Sequence, residues 1–395
     1  MFSQKFGGRL TSKNLRINLL RGLTVQELRL EAAAAVFLEI RRVSVEYSPL
    51  ALCRKQIKVP RLDLAQARLN FTHQNDAWLL PRPRHNFIKQ ALTLSTGHNT
   101  FVIRLDNINL SDTTVSLRAG ADGNELFHAD GINLTGRLAI QNRQGTAQGR
   151  LTARDMQFGA TLTLHDVQAQ VSYANDELRC TQLSGSAYGG QATGAITIPL
   201  APAPGATKQY YGVSLHFSDI DFPSLLKAFN ADPTLLQTRL NFSCDLWGDL
   251  NHPSLIQGKG WFESKATRLT GVKVLDLIGD LLKQPGLRDT QFDTVHGSFK
   301  IADDQLTFYF LEIISPDLKI SASGTVKYDQ TIDFDVLLTV TPTLLQQLPA
   351  EVTEQFSTQP DGSKSIACKV SGTPEAPACN LADKLYGKAA DSPSS

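Results

Sequence analysis

The feature that most constrains this chain is an apolar residue at every second position, kept up for five to ten residues, ended by a turn and then begun again. LRINLLRGLTVQELRL, RLDLAQARLNF, NTFVIRLDNINL, GATLTLHDVQAQVSY and VSLHFSDIDF all read this way, and in 332–340 the apolar positions are Ile332, Phe334, Val336, Leu338 and Val340. A β-strand turns successive side chains to opposite faces, so this period makes strands with one oily side and one wet side. Between the runs stand residues that accept tight reversals: Ala121-Asp122-Gly123-Asn124, Tyr173-Ala174-Asn175-Asp176, Asp303-Asp304 and Tyr328-Asp329-Gln330. Short turns between alternating runs predict hairpins and antiparallel pairing. The expected fold is mainly β: an elongated, curled, mostly antiparallel β-groove with a few short covering α-helices.

A glycine-led cassette recurs at irregular intervals, in GRLAI from Gly136, GRLTA from Gly149, GAITI from Gly194, GSFKI from Gly297 and GTVKY from Gly324. It is a motif re-used and not a solenoid unit, and its glycines are expected at strand starts, serving bulges or bends. Helical periodicity is confined to a few places. Val274, Leu275, Ile278, Leu281 and Leu282 share one helical face, ended by Pro285-Gly286, and 222–236 and 341–356 predict shorter helices interrupted by proline. Pro-rich connectors at 80–85 and 198–209 divide the chain into an N-terminal β segment (1–80), a central groove section (86–200), a C-terminal region (210–386) and a flexible tail (387–395).

The 39 basic and 38 acidic side chains of this 395-residue chain leave a net charge of +1, which disfavours a nucleic-acid partner. The five cysteines, Cys53, Cys180, Cys244, Cys368 and Cys379, include no CxxC pair, and no metal or cofactor is expected. Cys368 and Cys379 are close enough in sequence for one local disulfide, two buried thiols being the alternative. The longest apolar run, AAAAVFLEI at 32–40, is too short to span a membrane and is followed by Arg41 and Arg42. The opening residues lack a secretory leader, which taken alone points to the cytoplasm.

The sequence contains no GxSxG, GxxxxGK[ST] or HExxH motif, its eight histidines are isolated from one another, and its acidic pairs sit in turns or on wet strand faces. The chain does not read as an enzyme. A long open sheet cannot cover its apolar side with a few short helices, so that side either folds onto itself or accepts a guest. Acyl chains are the natural guest, because each methylene removed from water contributes about 0.8 kcal/mol and needs no specific polar contact. The expected lining is Leu306, Phe308, Phe310, Ile332, Phe334, Val336, Leu338 and Val340, the alternative being ordinary core.

The block GKGWFESKATRLTGVKVLDLIGDLL (258–282), then 289–340, then KVSGTPEAPACN (369–380) resembles the C-terminal region of AsmA-like bacterial envelope proteins, and GRLTSKNLRINLLRGLTVQELRL loosely resembles their opening. The resemblance implies non-catalytic binding of phospholipid in a β-groove, lipid transport between inner and outer membranes, and support of outer-membrane biogenesis. It implies a periplasmic site of action with inner-membrane and outer-membrane components as partners. Such proteins usually begin with a transmembrane helix just before the segment matched by GRLTSKNL, so an anchor upstream of this sequence is expected. In the matched block Asp304-Gln305-Leu306 stands where the family often has Asp-Gly-Leu. The competing expectation is a structural or chaperone-like β scaffold that assists outer-membrane protein assembly without carrying lipid.

Overall fold

A computed structural model describes residues 8–18, 22–32, 35–52, 56–74, 77–78, 102–119, 124–141, 144–200, 210–228, 230, 232–234, 236–249, 252–270, 272–284 and 289–386. Strands hold 73% of the structure and helices 11%, and the strands form one large, mostly antiparallel sheet. That sheet is uncurled, unlike the trough predicted from its amphipathic strands. The connectors at 80–85 and 201–209 and the tail from 387 lie outside the described residues. The chain divides into two compact units, one of Met1–Ala187, Ala192–Val213 and Gly248–Ser254, the other of Tyr188–Gln191, Ser214–Trp247 and Leu255–Ser395.

The first unit opens with β1 (Gly8–Thr11), β2 (Asn14–Asn18), β3 (Gly22–Ala32) and β4 (Ala35–Glu46). After a four-residue helix α1 (Pro49–Leu52) come β5 (Gln56–Val59), β6 (Arg61–Gln74), β7 (Ala77–Trp78) and β8 (Val102–Ala119). Then follow β9 (Asn124–Gln141), β10 (Gln144–Phe158), β11 (Leu162–Ala174), β12 (Glu177–Ala187) and β13 (Gly190–Pro199). Strand β3 pairs with β1, β2 and β4, and β4 pairs with β6, all antiparallel. Strand β8 then lies parallel to both β5 and β6, after which β8 through β12 pair successively as antiparallel neighbours. Val25, Ile40, Val43 and Ala67 form one buried cluster, with Leu23, Leu28, Leu38, Val45, Leu62 and Leu64 packed against it.

The second unit contains most of β14 (Tyr210–Asp221), then α2 (Phe222–Ala228), β15 (Leu236–Asp249), β16 (His252–Thr270), α3 (Lys273–Leu281), β17 (Asp289–Ala302) and β18 (Gln305–Ile314). It ends with β19 (Leu318–Lys327), β20 (Ile332–Val340), α4 (Pro342–Leu345), α5 (Ala350–Thr353), β21 (Ser357–Thr358), β22 (Lys364–Gly372), β23 (Pro377–Cys379) and α6 (Leu381–Tyr386). Strands β16 to β20 pair in sequence order, and β22 adds to β20 and accepts β21 and β23, every pairing antiparallel. The helical stretch predicted over 341–356, interrupted by proline, is two short helices. Proline at 349 has no N–H to continue a ladder and sits as N-cap of α5 instead. Helix α3 stops at Leu281, before Pro285, through a pair of C-terminal hydrogen bonds, Lys283 N–H to Asp280 O (3.1 Å) and Gln284 N–H to Gly279 O (2.7 Å). Lys283 takes the left-handed conformation (φ 56°) that such a C-terminal motif requires.

Nearly every long strand contains one irregularity of the same kind. Its apolar face runs i, i+2 until a tetrad in which two consecutive residues face away, as in Val25-Gln26-Glu27-Leu28, Leu64-Ala65-Gln66-Ala67, Leu164-His165-Asp166-Val167 and Phe217-Ser218-Asp219-Ile220. The third residue of these tetrads is left-handed: Glu27 (φ 52°), Gln66 (φ 56°), Asp166 (φ 51°) and Asp219 (φ 55°), with Asp112, Gln182 and Ala266 alike. The register brings them level in neighbouring strands. Gln26 lies opposite Arg42, Ile40 opposite Ala67, and Ala65 opposite Ser111, so the tetrads of β3 and β6 lie level with Ile40-Arg41-Arg42-Val43 of β4, which has no left-handed residue, and with Leu110-Ser111-Asp112-Thr113 of β8. Two outward residues in succession bend a strand as a β-bulge does.

Candidate functional site

The eight residues predicted to line a groove do not form one surface. Ile332, Val336, Leu338 and Val340 are buried, the last two completely, within a cluster sealed by helices: Leu275 and Ile278 of α3, Leu344 of α4, Val352 of α5, and Leu381 and Leu385 of α6. Phe334 packs against that cluster half-buried, and Leu306 and Phe308 are half-buried further along the same face. Phe310 is on the opposite face. The alternation predicts 306, 308 and 310 on one side, but the pairing with β19 jumps between Phe308 and Leu311, and Phe310 pairs with Ser298. Leu311 and Ile313 therefore take the inward places, while Phe310 is 44% exposed and packs edge-on against His296 (5.7 Å).

From Phe334, packed against the helix-covered cluster, an aromatic row runs along the apolar face of the second unit, with Phe217 and Phe299 buried and Phe242, Phe262 and Phe308 half-buried. Ring centroids step from Phe217 to Phe242 (6.0 Å), Phe242 to Phe299 (5.7 Å, stacked), Phe299 to Phe308 (6.4 Å) and Phe308 to Phe334 (5.8 Å), with Phe262 beside Phe308 (6.4 Å). Glycines make room for these rings. A Cβ on Gly260 would stand 2.5 Å from Phe299 Cζ, one on Gly297 would stand 2.9 Å from Phe262 Cζ, and one on Gly324 would stand 2.8 Å from Phe334 Cδ1. Gly297 and Gly324 belong to the recurring cassettes, and both sit inside strands, not at their starts. Their role is close approach, each lying directly opposite a phenylalanine of the adjoining strand.

The other side of the sheet is polar, and its hydrogen bonds concentrate on the bulged tetrads. In the first unit Arg41 Nη1 donates to Gln66 Oε1 (2.8 Å), Gln66 Nε2 to Asp112 Oδ2 (3.3 Å), and Asp112 N–H to Asn133 Oδ1 (3.1 Å). Hydrogen bonds from Thr114 and Arg154 hold the Asp130 carboxyl below its ordinary range. In the second unit Asp219 N–H donates to Asn241 Oδ1 (3.0 Å) and Arg239 Nη1 donates to Asp219 O (2.9 Å). These side chains satisfy backbone groups that an interrupted ladder leaves open. A furrow of about 460 Å³ lined by Glu27, Arg41, Gln66, Asp112 and Asp130 follows the line in the first unit. The signal was present in the sequence as apolar-x-x-apolar tetrads inside alternating runs, VQEL, LAQA, LHDV and FSDI among them.

Cys368 and Cys379 are both free thiols, Cys368 buried and Cys379 half-buried. Cys53 lies outside the described residues. Among the described residues no three His, Cys, Asp or Glu side chains are grouped to hold a metal ion, and no helix is long and apolar enough to cross a membrane. Comparison with family models, curated proteins and solved structures finds no match.

Proposed function

We propose that this chain is a non-enzymatic binder of lipid acyl chains, held along the apolar face of its sheet, and that it serves phospholipid transport between membranes of a cell envelope. The observation that carries this reading is the division of the apolar face. Short helices seal one end over Leu338 and Val340, while the aromatic row through Phe308 and Phe334 continues beyond them half-buried. A row of flat rings and glycines offers dispersion contact to a methylene chain without demanding a polar partner. The envelope setting comes from the AsmA-like order of residues in 258–380, where Gly297 and Gly324 stand opposite Phe262 and Phe334.

The test is uptake of a phospholipid with a fluorescent acyl chain from phosphatidylethanolamine vesicles. Phe334→Glu, on the apolar face, is expected to reduce uptake at least tenfold. Leu337→Glu, on the opposite face and 41% exposed, is expected to leave it unchanged. Equal uptake by both variants, with circular dichroism confirming that each is folded, would sink the reading and favour the lipid-free scaffold.

A further inference from the structure

The two thiols near the C-terminus are placed for chemistry that acyl-chain binding does not use. Cys379 lies directly opposite Val370 in the β22–β23 pairing, and Cys368 is two residues along β22, on the same core-facing side. The strands stay in register past that point, with Lys369 N–H donating to Asn380 Oδ1 (2.7 Å) and Asn380 N–H to Lys369 O (3.2 Å). The register therefore sets the two thiols diagonally across one strand pair, on one side, and they are not joined. One residue beyond Cys379 begins α6, whose Leu381 and Leu385 are buried in the helix-covered core and whose Tyr386 hydroxyl donates to Leu281 O at the end of α3 (2.6 Å).

We propose that Cys368 and Cys379 form a dithiol switch: exchange with a small-molecule disulfide joins them and pins β23 and the start of α6 onto β22. Cys379, the more exposed of the two, attacks one sulfur of the external disulfide, making a mixed disulfide and expelling one small thiolate. Cys368 then loses its proton to solvent and attacks the Cys379 sulfur, and the second small thiolate leaves. Two protein thiols are oxidised and one external disulfide is reduced to two thiols. The microenvironment supports this order: the neighbouring Cys368 thiol brings Cys379 down to about 7, and the Cys379 sulfur together with burial raises Cys368. Lys384, whose Nζ donates to Ala367 O (2.8 Å), adds positive charge beside the pair. The inference does not depend on what the apolar face binds.

The experiment treats the full chain with oxidised glutathione, then denatures it, alkylates the remaining thiols and maps peptides by mass spectrometry. The expected result is loss of alkylation at both Cys368 and Cys379, a linked peptide lighter by two hydrogens, and its reversal by reductant. Amide exchange over Leu381–Tyr386 is expected to slow several-fold in the oxidised protein. In Cys379→Ser, Cys368 is expected to remain fully alkylated after the same treatment. The proposal is overturned if both cysteines stay alkylatable, if Cys379 stops as a stable glutathione adduct, or if the bridge forms without slowing exchange in α6.

Discussion

At the scale of single residues, Gly324 states most sharply how this sheet is built. A methyl group there would lie 2.2 Å from Asp333 O and 2.7 Å from Phe334 Cα, so backbone as well as ring must move. Gly324→Ala is expected to lower unfolding stability by about 1–3 kcal/mol in urea titration, as overpacked sites do. Gly212→Ala, with no neighbour within 4 Å of the new atom, is expected to be neutral or to gain about 0.4–1 kcal/mol through the unfolded chain. Equal effects would show that the close approach does not matter. Glu312 supplies a pH-dependent contribution. Its hydrogen bond from Lys319 Nζ (2.7 Å) holds it below its ordinary value of 4.5, so its stabilisation is complete above that pH and is lost as pH falls through the lowered value. Glu312→Gln should flatten the fall in thermal midpoint below pH 4.5 and leave the remaining acid sensitivity in place. Phe310 marks what alternation could not tell. In FYFL every residue is apolar, so a skipped position leaves no trace in the pattern, whereas LHDV and FSDI display theirs in polar letters.

At the scale of elements, strands were legible because one face is wet. Burial along β20 reads as an almost strict alternation, and the turns at Asn175-Asp176 and Asp303-Asp304 adopt the left-handed conformations those residue types tolerate. Helices were harder. Helix α6 is only six residues long, and its two core residues, Leu381 and Leu385, are too few to establish a period. The aligned tetrads were missed because each is one irregularity within its own strand; only the cross-strand register makes them a line. At the end of α3, Lys283 occupies a left-handed position where glycine is the usual residue. Lys283→Gly is expected to raise stability by about 1 kcal/mol, read as an upward shift of the urea midpoint, and a decrease would contradict the C-terminal motif. Leu338, fully buried beneath the helices, is expected to cost about 2–5 kcal/mol as Leu338→Ala.

At the scale of the whole molecule, composition and period were enough to indicate a mainly β protein, because 395 residues with this many amphipathic strands have few other ways to bury them. The parallel placement of β8 beside β5 and β6 was not legible, since neither strand carries a signal for its neighbour's direction. Nor was the division of the apolar side, where α3 to α6 cover one stretch and leave Phe242, Phe308 and Phe334 half-buried, with Phe217 and Phe299 buried between and beside them. The acyl-chain binding proposed above draws on that division. The most direct measurement is mass spectrometry of an organic extract of the full chain purified without detergent. Acyl lipid in near-stoichiometric amount is the predicted result, and an extract containing no lipid from a folded preparation would contradict it.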